Sequence, residues 1–439
     1  MSVVPDAVDT DVQPPLAIPL KHFVVGLCLL LGAGALGVAS ALGGGGFVTL
    51  GHVHLLLAGW VCVTIAGAMT QFVPVWSGVR LHSKPLARIQ LALITVGVLG
   101  VVTGFLTTSF SLLALSGNVL LVGFWVFAYN VGRTLARARP FDVTERHFAL
   151  ALGFFVVLTV LGLLLALDFT TGVLGSAHGR VLEAHATLAV FGAVGTTVAG
   201  ALYQLATMFT QVDLYAFDER LQRVEEIGYP VGVVALAVGR YADVGVLARA
   251  GGVLVAVGLF LVGVVVLRCL ARTRVGWTPM LRRYAVAGVA MVVWAVLAAS
   301  QWVREAVGVA VLFGRPGLLH LLFVGVVGFV VLGTLYHVVP FLIWVHRYSD
   351  RLGLEPVPMI GDLYDGRLAH LDFALTVAGA GVWVGAELLA LDPTVAVVGS
   401  LLLVLGFVVF VANIGRTIWV HSPGALASRF ERTDAQSAD

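Results

Sequence analysis

Four histidines lie at the start of long apolar stretches of the chain, where ionisable side chains are uncommon. His52 and His54 share one stretch, His185 begins a second and His320 a third. An ionisable residue at membrane depth indicates a functional site by default. Neutral imidazole is the commonest protein ligand for transition metals, and two imidazoles from neighbouring helices can hold a haem iron from both faces. A single intramembrane histidine, in contrast, more often forms an interhelical hydrogen bond.

The segments that follow these histidines repeat along the chain. They align with 133 residues between successive copies, in a register marked by three glycines: Gly67, Gly200 and Gly333. In this register His54 matches His320, and His52 matches His185. The last apolar stretch of the first copy ends NVGRT at 130–134, and that of the third copy ends NIGRT at 413–417. The pattern therefore predicts three related units, each with its histidines near the start of its second helix.

The composition sets the class of protein that must position these residues. Of the 439 residues 59% are hydrophobic and only 11% are charged, against about 25% charged in soluble domains. A stretch of 18 or more apolar residues predicts a transmembrane helix. Twelve spans are predicted, of which the seventh is shorter than 18 residues and contains Arg240: 22–45, 52–76, 87–108, 110–132, 147–167, 179–208, 228–243, 250–270, 284–303, 317–345, 368–390 and 394–419.

The predicted fold is an all-α polytopic membrane protein with about twelve transmembrane helices in three pseudo-repeated four-helix units. A single membrane domain covers 22–421, with units at about 22–134, 147–272 and 284–420. The segments 1–21 and 422–439 are predicted to be polar tails. The composition excludes a soluble enzyme, a nucleic-acid-binding protein and a disulfide scaffold, so the lipid bilayer is the expected environment and no nucleic acid is expected as a partner.

The basic residues predict the orientation of the chain. We name the side of the membrane that holds the N-terminus side A, and the opposite side, side B. Twelve spans put 21 of the 26 Lys and Arg residues on side A. The positive-inside bias then predicts a cell-membrane protein with both termini in the cytoplasm. All three second helices run from side B to side A, so their histidines are expected at one depth in the outer half of the bilayer.

Two segments carry a resemblance to a known family. The stretch from His52 to Trp60, with Gly67 and Pro74 following in a twelve-span chain of threefold plan, resembles the haem–copper oxidase subunit I superfamily. It is most similar to divergent members described as cytochrome c oxidase subunit I-like, and to the NnrS family, which contains haem and copper. The segment 74–86 resembles NnrS sequences in particular, and the segment 336–349 resembles the subunit I-like proteins.

This resemblance implies a set of ligands. In the superfamily one histidine on helix 2 and one on helix 10 hold a low-spin haem, and these positions correspond to His54 and His320. The resemblance thus implies haem b, with His54 and His320 as its ligands. The superfamily's distal metal is held by one histidine on helix 6, which His185 could match, and by two on helix 7. His185 and His52 are therefore candidate ligands of copper or of a second haem.

The chain also departs from the superfamily pattern. The predicted seventh span contains no histidine, and Ala189 stands where the cross-linked tyrosine of oxygen reductases is expected. The full binuclear oxygen-reducing centre is therefore not recognisable. No carboxylate is expected in the cytoplasmic half of a span core, which argues against a proton pump. Glu183 is interpreted as a cap at the start of its helix or as a partner that orients His185.

Three functions remain open. The first is a haem protein that acts in respiratory electron transfer or in chemistry on a small gas, NO or O2, as an oxidoreductase with a quinol or partner electron-donor subunits. The second is an NnrS-like stress or assembly factor that binds haem or copper without turnover. The third is a transporter without a cofactor, whose histidines line a pathway.

Overall fold

The computed structural model describes residues 13–315 and 317–424, and this part of the chain folds into twelve long helices. We number them α1 to α12 in chain order: Ala17–Ala41, Phe47–Ser77, Lys84–Leu106, Phe110–Leu135, Val143–Thr171, Gly175–Thr210, Ala216–Tyr241, Gly245–Ala271, Pro279–Trp302, Leu321–Arg347, Gly366–Leu388 and Pro393–His421. Each overlaps one predicted span, and the predicted all-α polytopic membrane fold is confirmed. Most of the two predicted tails, 1–12 and 425–439, lies outside the described residues.

Eleven of the twelve helices are long and apolar enough to cross a bilayer, and α7 is the exception. The sequence predicted a short seventh span at 228–243, whereas α7 begins at Ala216 and has 26 residues. Its first half carries Asp218, Glu219, Glu225 and two arginines, so hydropathy detects only its second half. Asp218 is buried and bonded to Arg268 and Arg272 of α8. Tertiary ion pairs thus allow this helix to form where apolar patterning ends.

The second helices, α2, α6 and α10, share one packing feature that supports the threefold plan. A Cβ atom at Gly67 would lie 2.5 Å from Cβ of His22 on α1, and one at Gly200 would lie 2.5 Å from Cβ of His147 on α5. In the third unit, a Cβ atom at Gly333 would lie 3.1 Å from Cβ of Arg283 on α9. The first and second helices of each unit therefore approach closely because glycine leaves room for one large polar side chain.

A buried polar contact joins three helices at this level in every unit. In the first unit, Gln90 on α3 donates to Thr70 on α2 at 3.2 Å, and its Nε2 atom lies 3.4 Å from Nε2 of His22 on α1. In the second unit, Glu225 accepts from Tyr203 at 2.9 Å and lies 3.3 Å from His147.

Asp372 forms the third-unit contact, pairing with Arg283 and accepting from Tyr336. The expectation that no carboxylate lies in the side A half of a span core is wrong for Asp372, which is fully buried in α11. Glu225 is also fully buried, in the part of α7 that precedes the predicted seventh span. Their partners, which make this burial tolerable, are distant in sequence.

The second helix of each unit also contains a π-helical stretch: Leu55–Val61, Leu188–Gly195 and Leu321–Gly328. Each stretch begins one to three residues after a candidate histidine. π-Helical turns are rare and often lie at functional sites, because the wider turn changes which side chains face a given neighbour. Three of them at repeat-equivalent positions mark the side B half of these helices as the specialised part of the fold.

Candidate functional site

The structure places all four predicted histidines near the side B ends of the second helices. His52 and His54 lie in α2, His185 lies in α6, and His320 immediately precedes α10. All four side chains are partly buried. Two of them contact the first helix of their own unit, and the other two contact the third helix, so they form two geometrically distinct kinds.

His52 and His185 form the first kind. Nδ1 of His52 lies 2.8 Å from the carbonyl oxygen of Ala33 on α1. Nδ1 of His185 lies 2.9 Å from the carbonyl oxygen of Leu158 on α5. Each ring also packs over a glycine four residues further along that helix, Gly37 or Gly162, where a Cβ atom would lie 2.9 Å from Cε1. The two imidazoles thus make equivalent contacts with the first helix of their own unit.

His54 and His320 form the second kind. The ring of His54 packs against Phe105 of α3, with 5.2 Å between ring centroids. His320 stacks on Trp383 of α11 at 3.7 Å, with 21° between the ring planes. Nδ1 of His320 also lies 3.2 Å from Oε2 of Glu387, without the alignment of a hydrogen bond. Both of these histidines therefore face the third helix of their own unit.

Histidines of the two kinds are electrostatically close to one another where neighbouring units join. His52 of the first unit lies within electrostatic range of His320 of the third unit. His54 of the first unit lies within electrostatic range of His185 of the second. We call these places the 1–3 joint and the 1–2 joint. The prediction that His54 and His320 share one haem stays a prediction, although the electrostatic proximity pairs His320 with His52.

The hydrogen bonds of the imidazole rings determine which ring nitrogen has a lone pair that could bind a metal. A carbonyl oxygen only accepts, so Nδ1 carries the proton in His52, His54 and His185. Nε2 then holds a free lone pair, and within 13–315 and 317–424 it makes no hydrogen bond in any of the four histidines. A metal-bound histidine has this arrangement, since its other nitrogen donates to a backbone carbonyl or approaches a carboxylate. The donor set therefore fits a haem iron.

Three buried polar atoms at the 1–3 joint make no hydrogen bond among the described residues. Two of them, Nδ1 of His320 and Oε2 of Glu387, face each other at 3.2 Å, and the third is Nε1 of Trp60. Trp60 packs near Phe407 of α12, with 6.3 Å between ring centroids. Buried polar groups are normally satisfied, so these atoms fit a joint that receives a further group.

The joint between the second and third units is built differently. The residue that corresponds there to His54 and His320 is Thr187, and its hydroxyl accepts a 2.6 Å hydrogen bond from Arg240 of α7. Arg240 is fully buried and also donates to the carbonyl oxygens of Ala306 and Leu312. A fixed guanidinium disfavours a metal cation, which is consistent with the absence of histidine from the predicted seventh span.

Glu183 has a role that neither interpretation predicted. Its Oε2 accepts a 2.8 Å hydrogen bond from the backbone N–H of Gly308, in the loop that follows α9. It therefore anchors a loop near Arg240 and does not orient His185, whose Nδ1 is bonded to Leu158.

Two further observations limit the kind of site. Within the described residues no group of three or more His, Cys, Asp or Glu side chains could hold a metal ion, so a site here would depend on a pair of histidines. A cavity of about 460 Å³ opens between α4 and α5, and none of the four histidines lines it.

Sequence reasoning missed Trp383, Arg240 and Glu387, although a signal for two of them exists. Phe105, Arg240 and Glu387 each follow by 15 residues the buried polar residue of their own third helix, namely Gln90, Glu225 and Asp372. This shared spacing aligns the third helices of the three units, α3, α7 and α11, whose sequences are otherwise too different to align.

Comparison with known proteins adds no assignment. No protein-family model matches the chain, and no curated protein matches it significantly.

Proposed function

We propose that this protein is a haem-binding integral membrane protein in which Nε2 of His52 and of His320 would hold haem b at the 1–3 joint. The observation that supports the proposal most directly is the pair of imidazoles from α2 and α10. In His52 the Nδ1 atom is bonded to Ala33, and in His320 it faces Glu387, which leaves both Nε2 atoms without a partner. The stretch from His52 to Trp60 and the segment 336–349 resemble the subunit I superfamily, which binds its low-spin haem through histidines of the corresponding helices, 2 and 10.

Each residue of the joint has a separate role in this proposal. Ala33 holds the ring of His52 in one tautomer, and Glu387 increases the basicity of His320. Trp383 fixes the plane of the His320 ring through stacking. A haem with two histidine ligands supplies one-electron transfer.

The proposed setting follows from the charge distribution. The side rich in Lys and Arg is cytoplasmic, so the joint lies in the outer half of the cell membrane. Electron transfer to a partner respiratory subunit, or chemistry on a small gas such as NO or O2, would be the activity, with quinol or another subunit as the donor.

The test is the reduced-minus-oxidised visible spectrum of the purified protein, together with its iron and copper content. We expect a sharp low-spin b-type band that is lost in His320→Ala and in His52→Ala. His346→Ala is the matched control, because His346 lies at the opposite end of α10 and bonds only to its own helix.

Several results would contradict the proposal. A preparation without haem and without metal would favour a transporter. A band that survives His52→Ala and disappears in His54→Ala would restore the pairing of His54 with His320. Bound haem without electron transfer or gas consumption would favour a storage or assembly role.

A further inference from the structure

The cavity of about 460 Å³ between α4 and α5 is a groove between the first and second units. Small residues of both helices line it: Ala128, Gly132 and Ala136 on α4, and Ala149 and Gly153 on α5. Residues three or four apart lie on one face of a helix, so the two helices turn their small faces toward one another. Gly153 is exposed, and a Cβ atom there would meet no other atom within 4 Å. The space between the two helices is therefore left unfilled by the chain itself.

Aromatic contacts behind the groove hold its two helices in place. The buried rings of Phe124 and Phe127 on α4 pack on Phe155 of α5, with 5.2 and 5.6 Å between ring centroids. Nε1 of Trp125, which lines the groove, donates a 3.1 Å hydrogen bond to Thr159 of α5. These contacts prevent α4 and α5 from closing the groove by moving together.

The length of the groove matches one leaflet of a bilayer. From Trp125 to Ala136, both of which line it, α4 rises by about 16 Å at 1.5 Å per residue. The hydrocarbon core of a bilayer is about 30 Å thick, so one leaflet contributes about half of this distance. Leu135, Leu152 and Val156 supply apolar walls. The groove therefore fits a hydrocarbon chain that belongs to the side A leaflet.

The side A end of the groove is basic. Arg133, Arg137 and Arg139 lie there, and the segment 133–141 contains no acidic residue. Arg139 lines the groove, and its guanidinium carbon lies 5.3 Å from the ring centre of Phe141, which lines it as well. Arg139 forms no ion pair within 13–315 and 317–424. Basic residues next to a membrane attract anionic lipid headgroups, so the charge complements a phosphate at this end.

We propose that the groove binds one anionic phospholipid of the side A leaflet, with a hydrocarbon chain between Gly132 and Gly153 and the phosphate at Arg139. A quinol fits this groove less well, because its oxidation needs a proton acceptor and no His, Asp or Glu is among the described residues that line it. The site is separate from the histidine joints, so the proposal does not depend on haem.

The test is native mass spectrometry of delipidated full-length protein titrated with dioleoylphosphatidylglycerol. Dioleoylphosphatidylcholine has the same hydrocarbon chains without the net charge, and glycerol phosphate has the phosphate without the chains. We expect one tightly bound phosphatidylglycerol per chain, weaker binding of phosphatidylcholine, and no displacement by glycerol phosphate.

Two variants separate the groove from its charged end. Gly153→Leu fills the groove and should abolish the tight binding, whereas Gly381→Leu, at an exposed glycine of α11 with no atom within 4 Å, is its control. Arg139→Gln should weaken phosphatidylglycerol about fivefold and leave phosphatidylcholine unchanged. Arg416→Gln, at an exposed arginine near the side A end of α12, is its control.

Thermal unfolding separates lost binding from lost folding. Without added lipid, Gly153→Leu should unfold at the same temperature as Gly381→Leu, since both side chains enter open space. Added phosphatidylglycerol should raise the Tm of the wild type and of Gly381→Leu, because a ligand stabilises the state that binds it. The Tm of Gly153→Leu should not change.

Four results would overturn the proposal. Unchanged phosphatidylglycerol binding in Gly153→Leu would place the lipid elsewhere, and equal affinity for both lipids would remove the role of Arg139. A lipid-free dimer that dissociates in Gly153→Leu would make the groove a contact between two copies of the chain. A co-purified quinone that is lost in Gly153→Leu would make it a quinol site.

Discussion

The imidazole of His320 lies almost parallel to the indole of Trp383, with 3.7 Å between the ring centroids. The indole itself is fixed, because its Nε1 donates a 2.6 Å hydrogen bond to Ser400 of α12. One ring of α11 thus determines the rotamer of a candidate ligand that belongs to α10. This contact couples α10, α11 and α12 at the 1–3 joint.

Replacing Trp383 should loosen the proposed ligand without removing it. We expect Trp383→Ala to release haem up to about tenfold faster, since an aromatic pair contributes about 0.5–1.5 kcal/mol beyond its buried area. Trp383→Phe should stay near the wild-type rate. The measurement is the rate of haem transfer to an apoprotein acceptor. Trp419→Ala, at an exposed tryptophan of α12, is the control. An equal rate in all variants would show that the stack does not order the ligand.

Glu387 should tune the reduction potential of a haem at the 1–3 joint. A carboxylate beside Nδ1 of His320 stabilises the oxidised iron, so Glu387→Gln should raise the potential and weaken haem binding by about 10–100-fold. Redox titration and haem retention measure the two effects.

Glu305→Gln is the control for this experiment. Glu305 lies on the same side but in an exposed loop, where the N–H groups of Val307 and Ala306 lower its pKa. An unchanged potential in Glu387→Gln would argue against His320 as a ligand.

The buried pair of Arg283 and Asp372 should be a large contributor to stability. Both side chains are 1% exposed, so Asp372→Asn leaves an uncompensated guanidinium and should cost about 3–5 kcal/mol of unfolding free energy. Arg283→Met/Asp372→Leu should recover much of this loss. The exposed pair of Arg351 and Glu355 provides the control, since Glu355→Gln should cost about 0–1 kcal/mol. Denaturant or thermal unfolding in detergent measures all three, and equal losses would refute the argument.

The close approach of first and second helices predicts a contrast between two glycines. Gly67→Ala would put a Cβ atom 2.5 Å from Cβ of His22 and should destabilise the protein by about 1–3 kcal/mol. Gly415→Ala meets no atom within 4 Å and should be neutral or stabilise the helix by up to about 1 kcal/mol. The same unfolding measurement compares them. If Gly67→Ala left the free energy of unfolding unchanged, α1 and α2 would be able to move apart without a loss of stability.

Much of the fold follows from local pattern. Long apolar stretches predicted the twelve helices, and the recurrence of Gly67, Gly200 and Gly333 predicted their grouping, because both signals lie along a single segment of chain. The seventh helix was predicted only in part, since its charged first half forms through pairs with α8. Glu225 and Asp372 were missed for the same reason, as their partners lie 22 to 89 residues away.

By itself, the sequence predicted that His54, His185 and His320 lie at one depth in the membrane, because the predicted depth depends only on position within a span. It did not determine which of them face one another. His52 and His54 are two residues apart and point to opposite sides of α2, so their neighbours depend on how the helix is rotated. Only the tertiary structure decided this, because the rotation is set by the packing of α2 against Ala33 and Gly37 of α1 on one side and Phe105 of α3 on the other.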